Sequence, residues 1–311
     1  MNAVKTPLIN LSRDWIRAQG PDALRFLNGM WTCDFKRAAD NAASGPTCGQ
    51  GLLLNPKGKP LGPATFVCEG SQNFLLSVAH GSGSSIFEAL NHYIVADDVE
   101  LELLETPPFA VGIAAQGYQG STAVIPVPPS VPDAKDKLYR VIRENWGWRV
   151  PQAVLTPQHE ELWIEHGKWV QDGKTWPFPV QELSVNDLME LRIQAGVPEW
   201  LVDFNAESLI LEFPFAQAIS FHKGCYIGQE VVARGTYRGK MNRGFCRFEA
   251  SSSLTADWVY SEDDPARPIG KITTCFQNRG LGLLRLSALS EKIYQDQNGS
   301  RVFIDRVQSL I

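Results

Sequence analysis

The chain reads as an α+β protein that ends in a small antiparallel barrel or sandwich, and three observations predict this. Through residues 8–200, short runs rich in branched and aromatic residues alternate with a few amphipathic segments. Residues 126–132 hold four prolines in seven positions, which marks an exposed connection and a segment boundary nearby. After Met241 only short strand-like runs remain, separated by turns such as Asn298-Gly299, the pattern of a small barrel or sandwich. With 311 residues, 44% hydrophobic and 20% charged, the chain has the size for two or three domains and the composition of a globular protein.

Taken in order, residues 8–19 read as a strand or strand pair. Ala23, Leu24, Phe26 and Leu27 then fall at helical spacing behind Gly20-Pro21-Asp22, which suits a helix start, and Gly29 is expected to close that helix. Thr32 to Asp34 lead into a loop expected to end near Gly51. Strands at 52–55 and 64–68 flank Pro56-Lys57-Gly58-Lys59, a turn by its Pro and Gly content. A third strand at 74–78 precedes a helix at 85–93 with Ile86, Ala89, Leu90 and Tyr93 on one face, and strands near 99–104 and 110–114 follow. Beyond the prolines, 139–143 and 146–150 have strand character and 157–167 reads as a helix. Residues 183–195 form a stronger helix, which Ser184 can cap and Asp187 supports with an acid in its first turn. Barrel strands are expected at 244–248, 258–260, 269–275, 280–286 and 302–304, and no internal repeat of fixed period is present.

Several function classes are disfavoured. No stretch approaches the roughly 20 apolar residues of a membrane span, and the first residues lack a basic region followed by an apolar core, so a cytoplasmic address is expected. The six cysteines, at 33, 48, 68, 225, 246 and 275, form no Cys-x-x-Cys pair and no short Cys/His spacing, which points to free thiols and no stable protein-borne metal site. His80, His92, His159 and His166 stand apart in sequence and read as structural or surface residues.

The stretch 222–230, His-Lys-Gly-Cys-Tyr-Ile-Gly-Gln-Glu, concentrates reactive, flexible and ionic residues. Cys225 stands between Gly224 and Gly228, and residues 229–233 can continue as a short helix. That places a thiol near a helix N-terminus, where the dipole and free N–H groups favour an anion, beside Lys223 and His222. The competing reading of such a cysteine is a small buried hydrophobe. From Lys223 to Arg247 the chain carries Lys223, Arg234, Arg238, Lys240, Arg243 and Arg247 against the single acid Glu230, although its total charge is -5. A basic island of this kind is either a solvated face or a seat for an anionic ligand. Tryptophans at 146, 148, 163, 169 and 176 offer core packing or stacking platforms for a flat ring.

These residues carry a resemblance. Lys-Gly-Cys-Tyr-x-Gly-Gln-Glu, with Val-Ala-Arg and Tyr-Arg-Gly after it, resembles the signature of the YgfZ family, folate-binding relatives of the glycine-cleavage T protein. Three further blocks support it in family order: Gly20-Pro21-Asp22-Ala23 with Phe26-Leu27-x-Gly29 and Thr32-x-Asp34; Leu54-Asn55-Pro56-Lys57-Gly58-Lys59; and Arg192 with Gly196-x-Pro198.

The resemblance covers the whole chain and implies a three-part ring. A discontinuous folate-binding module is expected at 1–50 and 136–240, an inserted α+β module at 51–135, and a C-terminal antiparallel β-barrel at 241–311. It implies tetrahydrofolate or a derivative as cofactor and iron–sulfur client or assembly proteins as partners. The implied role is that of an accessory factor in iron–sulfur cluster assembly or repair, supporting tRNA modification indirectly. Cys225 would be the reactive thiol or a transient iron ligand, assisted by Lys223, with Gly224, Tyr226, Gly228, Gln229 and Glu230 completing the motif. Folate contacts are expected from Arg192, Gln194, Trp200, Arg234, Tyr237 and Arg238, and Trp15 is a further nearby tryptophan.

Two departures from the related aminomethyltransferases stand out. The Gly-Lys turn continues Pro60-Leu61-Gly62-Pro63 with no acid, and Gln194 replaces the Glu of their Arg-x-Glu-x-Gly helix end. An amide can hydrogen-bond a pterin edge but is not a charged acceptor at pH 7. A folate-dependent aminomethyltransferase or demethylase is therefore the second reading. A basic RNA-binding module, suggested by Arg234 to Arg247 with Tyr237 between them, is the third, and the small island and overall acidity argue against direct nucleic-acid binding.

Overall fold

The computed structural model describes residues 6–306 apart from 107, 116–138, 141, 145–146, 152–158, 166–179, 216–217, 239–240, 255–257 and 290–293. The chain divides into two compact units. The first is Met1–Pro56, Leu61–Ser184 and Gln217–Ile227, and the second is Lys57–Pro60, Val185–Ala216 and Gly228–Ile311.

The first unit begins with β1 (Thr6–Leu11), β2 (Arg13–Gln19), α1 (Ala23–Met30), α2 (Phe35–Ala42), β3 (Thr47–Leu54), β4 (Pro60–Cys68), β5 (Asn73–Ala79) and α3 (Gly83–Asn91). It continues with β6 (Glu100–Leu103), β7 (Phe109–Ala115), β8 (Tyr139–Arg140), β9 (Ile142–Glu144), β10 (Gly147–Pro151), β11 (His159–Glu165) and β12 (Val180–Glu182). These strands make two six-stranded sheets, in the orders β12-β1-β7-β11-β10-β9 and β6-β2-β5-β4-β3-β8. Strand β1 runs parallel to β12 and antiparallel to β7.

Alternation along β2 explains how the second sheet is covered on both faces. Ile16 and Ala18 point to one side, where with Phe66, Phe74, Leu76 and Val78 they pack against Phe26, Leu27, Phe35, Ile86 and Leu90 of the three helices. Phe35 is wholly buried and stacks on Phe66 at 4.2 Å between ring centroids. Trp15 points to the other side and meets Trp163 of β11 edge to face at 4.7 Å, in a cluster with Cys48, Val67 and Val150.

Three sequence expectations need correction here. The loop expected from Thr32 to Gly51 contains helix α2 and the first half of β3. Asp34 caps that helix by accepting a hydrogen bond from the Arg37 backbone N–H at 3.0 Å, and Phe35 and Ala38 fill its buried face. Helix α1 runs through Gly29 to Met30, because Met30 is a buried core residue that extends the apolar face by one more position. Residues 159–165 form a strand where 157–167 reads as a helix. Pairing with β7 over seven residues and β10 over five outweighs the helical preference of Glu-Glu-Leu.

The second unit holds α4 (Val185–Ala195), 3₁₀ turns at Ile210–Glu212 and Leu286–Ala288, and α5 (Gln229–Arg238). Six antiparallel strands follow: β13 (Arg243–Ala250), β14 (Trp258–Ser261), β15 (Asp264–Phe276), β16 (Arg279–Arg285), β17 (Tyr294–Asp296) and β18 (Arg301–Arg306). They close in the order β13-β16-β15-β14-β17-β18, with β13 pairing β18, so the C-terminal barrel is a barrel and not an open sandwich. The sequence indicated five of its strands; β17, three residues long, carried no readable pattern.

A buried ionic knot fixes the chain between α4 and the barrel. Asp203, whose side chain is wholly buried, pairs with Arg192 Nη1 and accepts from the Glu199 backbone N–H at 2.8 Å and from Thr274 Oγ1 at 2.8 Å. Arg192 also donates to Thr274 Oγ1 at 2.8 Å and to the Val197 carbonyl at 3.2 Å. Removing one partner strands a buried charge, so Asp203→Ala should lower the unfolding free energy by about 3–5 kcal/mol. Guanidinium unfolding followed by tryptophan fluorescence checks this, and a loss below about 1 kcal/mol would mean that solvent reaches Arg192.

Candidate functional site

The site is built from residues 218–227, which belong to the first unit and are stitched to the end of α1. Thr32 is fully buried at the junction and makes the connection on both sides. Its hydroxyl donates to the Ala218 carbonyl at 2.6 Å and accepts from the Leu52 N–H at 2.9 Å, while its carbonyl accepts from the Ser220 N–H at 2.9 Å. Ile227 N–H closes the segment on the Gly29 carbonyl at 3.1 Å.

Lys223 lies at the centre of this seam. Its ammonium donates to the carbonyls of Asn28, Trp31 and Cys33, each at 2.6 Å. An ammonium has three protons, and three oxygens receive them. Asn28 and Trp31 lie at the C-terminal end of α1, where the dipole favours a cation, so helix and lysine suit each other. Lys223 Nζ also stands 5.1 Å from the centroid of the Tyr226 ring. Tyr226 is buried, and burial first, then the nearby Cys33, pushes its hydroxyl up to about 12.

Between these two anchored side chains, Gly224 and Cys225 are exposed. Of the six thiols only Cys225 and Cys275 are exposed; Cys33, Cys48, Cys68 and Cys246 are buried, and burial pushes the Cys68 thiol up to about 11. The arrangement therefore presents one motif thiol to solvent from a loop whose neighbours on either side are fixed.

Gly228 adopts a left-handed φ of 79°, a conformation suited to glycine, directly before α5. The helix starts at Gln229, as expected, and runs further than residue 233, to Arg238. On it, Glu230 and Arg234 pair at i,i+4, both largely exposed. Tyr237 is 77% exposed, and the side chain of Arg238 lies outside the described residues.

The remaining expected folate contacts lie around α4. Arg192 is buried in the Asp203 knot. Gln194 is exposed and donates to Glu190 Oε1 at 3.2 Å. Trp200 is half-buried, with its ring 5.0 Å from Phe204. Trp15 and Trp163 are core residues; Trp146, Trp169 and Trp176 and the side chain of Trp148 lie outside the described residues.

Four of the island's six cations have partners among the described residues. Lys223 is held by carbonyls and Arg234 by Glu230, while Arg243 makes a two-pronged pair with buried Glu212, at 2.9 Å for each prong. Arg247 binds Asp305 and the Gln194 carbonyl. Lys240 lies outside the described residues. Among the described residues no three His, Cys, Asp or Glu side chains gather as they would to hold a metal ion, and no helix is long and apolar enough to cross a membrane.

No family model matches the chain. Curated relatives do. The "Iron-sulfur cluster assembly factor IBA57 homolog, mitochondrial" of Dictyostelium discoideum is 23% identical over 249 residues, covering 75% of this chain and 59% of that protein. The "tRNA-modifying protein YgfZ" of Edwardsiella ictaluri is 28% identical over 245 residues, covering 74% and 67%. Among solved structures, the glycine cleavage system aminomethyltransferase T of Bartonella henselae superposes with a TM-score of 0.72 over 99% of this chain and 87% of that one, at 12% identity. The chain is similar to YgfZ-type proteins. Its fold is that of the glycine-cleavage T protein, with mixed helices and strands and the closed six-stranded barrel. The motif lysine of this chain donates to backbone carbonyls 190 to 195 residues away, a role that no sequence pattern announces.

Two outcomes follow from the seam. Lys223→Ala should destabilise the first unit by at least about 2 kcal/mol, since it removes charged hydrogen bonds and leaves carbonyls without their donor. Lys223→Arg should not restore it, because a planar fork cannot meet three convergent oxygens; chemical unfolding curves of the two variants check both. Tyr226 supplies a pH test. Its raised value means that the folded state holds the proton longer than the unfolded chain, so its stabilising contribution is complete below pH about 10 and is lost as pH climbs towards about 12. Tyr226→Phe should flatten the fall of unfolding free energy across that window; an unchanged slope would place the ring in contact with water.

Proposed function

We propose that this chain is an accessory factor for iron–sulfur cluster assembly or repair that binds tetrahydrofolate or a derivative and supports tRNA modification indirectly. The observation that carries the reading is the exposed Cys225 on a loop fixed by Lys223 and Tyr226, in a chain related to proteins named for those two processes. A thiol so placed can ligate an iron ion in transit, and it loses its proton as the Fe–S bond forms. One thiolate cannot hold a cluster by itself, so the other ligands come from the client or donor protein, which suits an assembly factor and not a resident cluster protein.

The residues proposed to hold folate fit unequally. Arg192 is committed to Asp203 and gives the ligand nothing but the shape of the α4 end. Arg234 and Tyr237 project from α5 and offer a guanidinium for the carboxylates of the glutamate tail and a ring for stacking. When bound, tetrahydrofolate supplies a carrier for one-carbon units. The aminomethyltransferase reading needs a positioned carboxylate, and neither Gln194 nor the turn after Gly58 provides one.

The deciding experiment uses purified protein and a deletion strain together. Tetrahydrofolate should bind in a fluorescence titration, with no one-carbon transfer from glycine-derived or methylamine donors above background. Loss of general acid–base help alone typically costs about 10² to 10⁴ in rate. In cells lacking the protein, activity of cluster-dependent tRNA-modifying enzymes should fall, and Cys225→Ser should fold normally yet not restore it. Full rescue by Cys225→Ser, or folate-dependent turnover in vitro, would favour the transferase.

A further inference from the structure

Within the second unit, α5 and the 3₁₀ turn at residues 210–212 form the walls of an open cavity of about 460 Å³, and its lining is almost wholly apolar. Leu209, Ile210 and Leu211 make one wall, and Val231, Val232 and Met241 the other. Two of these stand well into solvent, Leu209 at 38% and Val231 at 40% exposure. The floor is held open by close approach. Gly58, at a left-handed φ of 71°, would bring a Cβ to 2.7 Å from the Val231 Cβ, and a Cβ on Gly235 would come to 2.5 Å from Leu211 Cδ1. Any larger residue at either place would fill the groove or push its walls apart.

The rim is cationic. Arg234 lines the groove itself, and Lys57 and Lys59 flank Gly58 on the turn, Lys59 donating to the Glu207 carbonyl at 2.6 Å. The Arg234 pair with Glu230 is solvent-exposed on both sides, at 67% and 83%, and water screens such a pair, so an incoming carboxylate can share the guanidinium. Apolar floor and basic edge together fit an amphipathic segment that carries branched apolar anchors flanked by Asp or Glu. This is the helix-in-groove mode of recognition, with charge setting orientation.

We propose that this groove docks an acidic, apolar-anchored segment of a protein partner. The assignment shares Arg234 with the proposed folate contacts and otherwise rests on the apolar walls of the groove and the charge at their edge. It places a partner-recognition surface on the helix that begins four residues after the motif cysteine in sequence.

The test uses the full-length protein and a fluorescein-labelled peptide of Glu and Leu with its leucines at helical i,i+3 and i,i+4 spacing, followed by fluorescence polarisation. Replacing its leucines by serine, or its glutamates by lysine, should abolish binding. Leu209→Glu and Val231→Glu, both at partly exposed positions, should each weaken the peptide by at least about tenfold, as expected for groove-lining anchors. Arg234→Glu should weaken it mainly at low salt. Circular dichroism and melting curves establish that the variants are folded, and Cys225→Ser should bind the peptide like the unchanged protein. The proposal falls if the serine peptide binds equally well or if both groove variants are neutral. It also falls if octanoate occupies the groove while the peptide does not, which would make this a small-carboxylate site. Loss of folate binding with peptide binding intact would overturn the folate reading alone.

Discussion

The ammonium of Lys223, enclosed by three backbone carbonyls, is the interaction on which the candidate site depends. It joins two stretches of one unit that lie nearly two hundred residues apart, and it does so where α1 has run out of internal hydrogen-bond partners for its last carbonyls. Helix end and motif loop therefore solve each other's problem. The helix loses its orphan acceptors, and the loop gains a rigid base from which Gly224 and Cys225 extend into water. Tyr226 completes the base by lying buried beside the charge. The lysine thus serves to position the cysteine, and its charge is spent on carbonyls.

The second unit contains a counterpart with opposite polarity. There a buried carboxylate, Asp203, gathers an arginine, a backbone N–H and barrel threonines around the end of α4. In both units a helix terminus and a following irregular segment are fixed by one ion, half-buried Lys223 in the first and buried Asp203 in the second, that uses most of its hydrogen-bonding capacity. Buried ions of this kind add little net stability over apolar packing, but they tolerate few alternative geometries. The segments they hold are those with the least regular structure to hold them otherwise.

Most of the architecture was legible because alternation and helical spacing report local burial directly. The strands of the second sheet, the helices α1, α3 and α4, and five barrel strands follow from apolar period alone. Failures came where the deciding contact lies elsewhere in the chain. Strand β11 is helical by composition and a strand by virtue of its two neighbours. Helix α2 did offer a signal, the Asp34 cap ahead of Phe35 and Ala38, which was outweighed by the expectation of a loop. The motif cysteine was legible from glycine spacing and resemblance. The partners of the basic residues were not legible, because Glu212 and Asp305 lie outside residues 223–247 and the acceptors of Lys223 are main-chain atoms with no sequence identity.

The order of the seam along the chain has a consequence for biosynthesis. Helices α1 and α2 and most of the second sheet are encoded before residue 104, so their core can form early from contacts of modest sequence separation. Strand β1 must wait for β12 at residues 180–182, and the first unit is finished only when residues 217–227 return to it, after α4 of the other unit has been made. A nascent or truncated chain can therefore bury its aromatic core and still lack the bolt that fixes the motif loop. The segment that carries Cys225 is thus the last part of the first unit to be synthesised.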